Sequence, residues 1–61
     1  MANRIREVRE EKGLMQKELA QLAGVSPPFI CDLEANRRGA KPETLERIAE
    51  ALGVSVDQLI Q

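Results

Sequence analysis

The sequence predicts an all-α domain, a bundle of five short helices. Three observations predict it. Apolar residues recur three and four positions apart, and nowhere do Val and Ile alternate with polar residues over a strand's length. Gly13, Gly24 and Gly53 stand where these periodic stretches end. Pro27 and Pro42 stand where two of them begin, at positions whose amide would have no helical partner.

The first helix is expected over roughly 3–12, with Asn3 as N-cap, Ile5 and Val8 facing inward and Gly13 closing the end. Its remaining charges, Arg4, Arg6, Glu7, Arg9, Glu10 and Glu11, read as a solvated face. The second helix is expected over 16–23. Leu19, Leu22 and Ala23 form its inward stripe, and Met15 occupies the cap position where a hydroxyl is usual. Gly24 then suggests a turn at positive φ, which glycine adopts without steric penalty.

The third helix is expected over 27–35. Ser26 is its N-cap, bonding to the amide of Phe29, because Pro28 has no amide to offer. Ile30 and Leu33 define its inward side. At about 100° per residue, Pro28, Asp32 and Ala35 then point most nearly away from the core. A basic loop, ANRRGAKP, follows. The fourth helix is expected over 42–52, with Leu45, Ile48, Ala49 and Leu52 inward and Gly53 as its C-cap. The fifth is expected over 56–60, where Ser55 and Gln58 form an S-x-x-Q capping box.

Composition narrows the function. The 61 residues form one domain, 1–61, with 43% hydrophobic and 31% charged residues and a formal net charge of −1. That balance argues against nonspecific polyanion binding but permits a local basic patch. The chain has no His, no nucleophile–base pair, no phosphate-binding glycine loop and no metal constellation, so no enzyme, cofactor or small-molecule substrate is expected. A lone Cys31 suggests a reducing compartment. No apolar run approaches the ~20 residues that span a bilayer, and the N-terminus lacks a signal-peptide stretch. A cytoplasmic protein without membrane contact is therefore expected.

QKELAQLAGVSPPFICDLE, then a basic loop, then PETLERIAEALGVSVDQLI, resembles the phage repressor and Cro-like (XRE-type) helix-turn-helix family. The match runs from Ile5 to Ile60. It includes Gln16, Glu18-Leu19-Ala20, Ala23-Gly24-Val25-Ser26, Ile30, Leu33-Glu34, Leu45 and Ile48-Ala49. The resemblance implies a lambda-repressor-like five-helix bundle that binds double-stranded DNA, with the third helix in the major groove. It also implies a homodimer on two half-sites about 34 Å apart. Leu59, Ile60 and part of the fourth helix are the expected dimer patch.

By this resemblance Gln16 reaches a phosphate and can brace the third helix, and Lys17 can add a second contact. Arg37, Arg38 and Lys41 are the main phosphate-contact candidates, and Asn36 is either a further donor or the residue that caps the turn. Arg9 and Glu34 are read as a structural pair. The family's base-reading positions fall on Ser26, Pro27, Pro28 and Asp32. None of these is Arg, Lys, Asn or Gln, whose donors match base edges. Pro27 and Pro28 could lie against thymine methyls, and Ser26 could touch DNA although capping is its simpler role. Asp32 would repel phosphates unless it accepts from a cytosine amine or is neutralised by an arginine. Phe29 is expected to pack between the second and third helices, with stacking near the DNA backbone as the alternative. Cys31 is read as a small half-exposed residue with no basic neighbour in its helix. The competing reading is a protein-interaction module that keeps the fold and has lost base reading.

Overall fold

The computed structural model describes residues 3–60. It contains four α-helices and one short 3-10 turn: α1 (Ile5–Glu11), α2 (Gln16–Ala23), α3 (Pro27–Glu34), α4 (Pro42–Leu52) and the turn Val56–Gln58. The spans of α2 and α4 match those expected. Four boundaries share one device. Gly13, Gly24 and Gly53 adopt positive φ, and so does Asn36, at 60°. At Gly24 the reversal lets Val25 N–H donate to the Ala20 carbonyl at 3.0 Å, which satisfies the helix end and turns the chain into α3.

The core takes one large, fully buried aliphatic side chain from each α-helix and a fifth from Leu59, just beyond the 3-10 turn. Ile5, Leu19, Ile30, Ile48 and Leu59 are all fully buried. Ala20 and Ala23 are small, so α2 can pack against both α3 and α4. Among the described residues no buried side-chain nitrogen or oxygen lacks a partner, and no helix is long and apolar enough to cross a membrane.

Four expectations need correction. Leu22 is 61% exposed, and Ala20 takes the inward place instead. The stripe centred on Leu19, Ala20 and Ala23 leaves Leu22 roughly 110° away at helical spacing. α1 begins at Ile5 with Arg4 as its N-cap residue, not at Asn3. Asn3 still serves the first turn, because its Oδ1 accepts from Ile5 N–H at 3.0 Å.

The fifth helix is not an α-helix. Gln58 Oε1 does accept from Ser55 N–H at 3.0 Å, but the segment makes only a single 3-10 turn. Beyond it the Leu59 carbonyl accepts from Arg4 N–H at 2.8 Å, and Ile60 pairs with Asn3 as an isolated antiparallel bridge. So short a segment gains little from helical propagation, and pairing with the opposite end of the chain prevails. Full burial also removes Leu59 from the expected dimer patch, whereas Ile60 stays 37% exposed.

The charged face of α1 is solvated as expected except at Arg9, which is buried on the side that faces α3. Arg4 pairs with Glu7 and Arg6 with Glu10. The hydrogen bond from Arg4 holds the Glu7 carboxyl below its usual range.

Candidate nucleic-acid interface

α2, the Gly24 turn and α3 form two helices joined by a tight turn. Ser26 caps α3, its hydroxyl accepting from Phe29 N–H at 3.3 Å. Pro27 and Pro28 occupy the first two helical positions, so the one free amide of the first turn is already used. This helix N-terminus is therefore a weak anion site. Ile30 and Leu33 are buried, which fixes the rotation of α3. Pro27 and Pro28 face solvent, and Cys31 and Asp32 are half-exposed.

One network locks α3 to the helices before it. Arg9 Nε donates to Glu34 Oε2 at 2.6 Å and Arg9 Nη2 to Glu34 Oε1 at 3.2 Å. Gln16 Nε2 donates to the same Oε1 at 2.9 Å, and Arg9 Nη1 donates to the Leu14 carbonyl at 2.7 Å. The Arg9 and Glu34 side chains are only 10% and 4% exposed. Donating to Glu34 pushes the Arg9 guanidinium pKa further up. Gln16 thus braces α3 as expected, and its amide is directed inward. The bond to Leu14 had no signature in the sequence, since it depends on the path of the chain after α1.

The basic loop divides into parts with different surroundings. Asn36 takes the left-handed position that ends α3, and its Oδ1 accepts from Asn3 Nδ2 at 3.0 Å. Asn3 Nδ2 also donates to the Leu33 carbonyl at 2.7 Å. Arg37 is folded back onto α3. Its backbone N–H donates to the Asp32 carbonyl at 2.9 Å, and its Nε donates to Asp32 Oδ1 at 2.9 Å. Its Nη2 lies 3.4 Å from Cys31 Sγ. Donating to Asp32 raises the Arg37 pKa, with Cys31 adding to the effect. Cys31 does have a basic neighbour, brought by the loop rather than by its own helix.

Arg38 goes elsewhere. Its guanidinium carbon stands 4.3 Å from the centroid of the half-buried Phe29 ring, a cation–π contact. Lys41 is the exposed N-cap residue of α4, and Lys17 is exposed in the first turn of α2. The fold therefore gathers Arg37, Asp32 and Cys31 into one cluster. Arg38 is set on Phe29, and Gln16 belongs to the buried network.

A helix-turn-helix family model matches residues 5–59, and the chain belongs to this family of XRE-type transcriptional regulators. Over its full length it is 38% identical to the HTH-type transcriptional regulator DdrOP3 of Deinococcus deserti, and it covers 47% of that protein. It is 35% identical to the immunity repressor protein of Bacillus phage phi105, over 98% of this chain and 42% of that one. The chain thus spans less than half the length of these curated relatives. A crystal structure of SinR, the master regulator for biofilm formation, in complex with DNA is similar with a TM-score of 0.84. It is 36% identical, over 88% of this chain and 87% of that one.

Proposed function

We propose that this chain is the DNA-reading domain of a transcriptional regulator, binding double-stranded DNA as a homodimer with α3 in the major groove. One observation carries the reading. Ile30 and Leu33 anchor α3 so that its opposite side is presented outward, with Arg37, Arg38 and Lys41 following at its end. The groove is about 12 Å wide and accepts one such helix. SinR, similar in fold, is a regulator crystallised with DNA.

In this arrangement Lys17, Arg38 and Lys41 meet phosphates, with Gln16 and Asn36 behind them. Pro27 and Pro28 lie against base edges or thymine methyls, with Ser26 capping the helix beside them. The domain measures 24 × 21 × 19 Å. Half-sites one helical turn apart are separated by about 34 Å, more than its longest dimension, so a second copy is needed to engage both.

A salt titration on mixed duplex DNA tests the reading. Three cations per domain, doubled in a dimer, give a slope of log affinity on log salt of about −5. Absence of binding even at low salt would reject DNA recognition and leave the interaction-module reading.

A further inference from the structure

α3 carries the sequence PPFICDLE, which offers no Arg, Lys, Asn or Gln to a base edge. A helix placed in a groove with this face would exclude water and discriminate little. The fold supplies what the helix lacks from outside it. The left-handed Asn36 reverses the chain, and Arg37 returns across the outer surface of α3 to Asp32 and Cys31.

The atoms involved matter. A guanidinium has two usable edges. Arg37 directs the Nε–Nη2 edge inward, with Nε on the Asp32 carboxylate at 2.9 Å and Nη2 beside Cys31 Sγ at 3.4 Å. Among the described residues Nη1 has no hydrogen-bond partner, so the Nη1–Nη2 edge stays open. That edge presents two parallel N–H donors, the pattern that matches O6 and N7 of guanine. Bracing by Asp32 also means that little side-chain freedom remains to be lost on binding. Arg38 is differently placed: stacked on Phe29 at 4.3 Å, it has no such tether to the outward side of α3.

We propose that Arg37 is the base-reading residue of this domain, recognising a guanine in the major groove, and that Asp32 is its positioning residue and does not itself contact DNA. This rests on the DNA-binding reading above. It replaces the expectation that Arg37 holds a phosphate, and it gives the acidic residue on the recognition face a purpose.

The test is selection of bound duplexes from a random pool, followed by affinities for the selected site and for its single-pair variants. It uses the parent chain and Arg37→Lys, Asp32→Ala and Arg38→Ala, each checked for its fold by circular dichroism. The parent should enrich a G·C pair at one position of each half-site. Arg37→Lys keeps the charge but loses the fork, so preference at that position should fall about 5- to 140-fold while pool affinity and salt slope barely change. Asp32→Ala should lower the same preference and tighten binding to pool DNA, because a negative charge is removed while Arg37 is released. The Arg37→Lys, Asp32→Ala double variant should lose no more preference than Arg37→Lys alone. Arg38→Ala should weaken all sequences alike.

Two results would overturn the proposal while leaving DNA binding intact. One is a selected motif that Arg37→Lys leaves unchanged. The other is an Asp32→Ala variant that tightens all sequences equally without loss of preference. Failure of the parent to bind any duplex in a salt-sensitive way would instead overturn the DNA-binding reading, and this proposal with it.

Discussion

Replacing Glu34 by Ala removes the acceptor at the centre of the Arg9–Gln16–Glu34 network. Arg9 keeps its charge but has lost both bonds to the carboxylate, at 2.6 and 3.2 Å, within a site where its side chain is only 10% exposed. Gln16 loses its 2.9 Å partner in the same step. Breaking a buried ion pair on one side costs ~3–5 kcal/mol, and Arg9 would keep only the Leu14 carbonyl and the more exposed Glu10 at 4.0 Å. A domain of 61 residues has a total stability of about 3–9 kcal/mol. The variant should therefore lose a third or more of its stability, its midpoint lower by roughly 12–40 °C. Thermal and urea denaturation followed by circular dichroism would measure this. Removing both charges together, as Arg9→Met with Glu34→Leu, should leave more stability than Glu34→Ala alone, since apolar replacements of similar volume leave no orphaned charge. A loss below ~1 kcal/mol for Glu34→Ala, or a double variant weaker than the single one, would refute this account of how α3 is anchored.

Other expectations follow from single positions. Leu22→Lys should change stability by less than about 0.5 kcal/mol, because Leu22 is 61% exposed, whereas Leu19→Ala in the core should cost about 2–5 kcal/mol. Equal losses at the two sites in a urea titration would contradict the exposure seen in α2. Gly24→Ala should cost about 1–2 kcal/mol through its φ of 73° alone, since an added Cβ would meet only Arg47 Nη1 at 3.7 Å. Gly24→Asn should cost less, and thermal melts of the two variants give the order. Ser26→Ala should cost about 1 kcal/mol by removing the acceptor for Phe29 N–H, and an unchanged melt would mean that the cap contributes nothing.

Much of this architecture was legible locally. Gly24 and Gly53 closed α2 and α4 where expected because a positive φ is a property of one residue. Ser26 with Pro27 and Pro28 opened α3 for an equally local reason: only Phe29 could supply the amide for the cap. Arg9, Gln16 and Glu34 are far apart in sequence, and their association was accessible only through the family resemblance. Leu22 was misplaced because an apolar residue three positions from Leu19 fits a helical stripe, and only packing against two neighbouring helices selects Ala20 instead. The fifth helix failed for a different reason. Its capping residues were present, but the competing partner of Leu59, the Arg4 amide, lies at the far end of the chain. That an arginine could neutralise Asp32 was open in the sequence, but not that it is Arg37, because residues five apart do not meet along a continuous helix. They meet here because a left-handed residue stands between them.

Asn3 and Ile60 lie side by side, and the Arg4–Leu59 bond seals the seam between them. A pulling force applied at these two points would load the Arg4–Leu59 hydrogen bond directly instead of sharing the strain along a whole helix. The domain should therefore be mechanically soft in this direction. Leu59 would be drawn out of the core at an early stage of stretching.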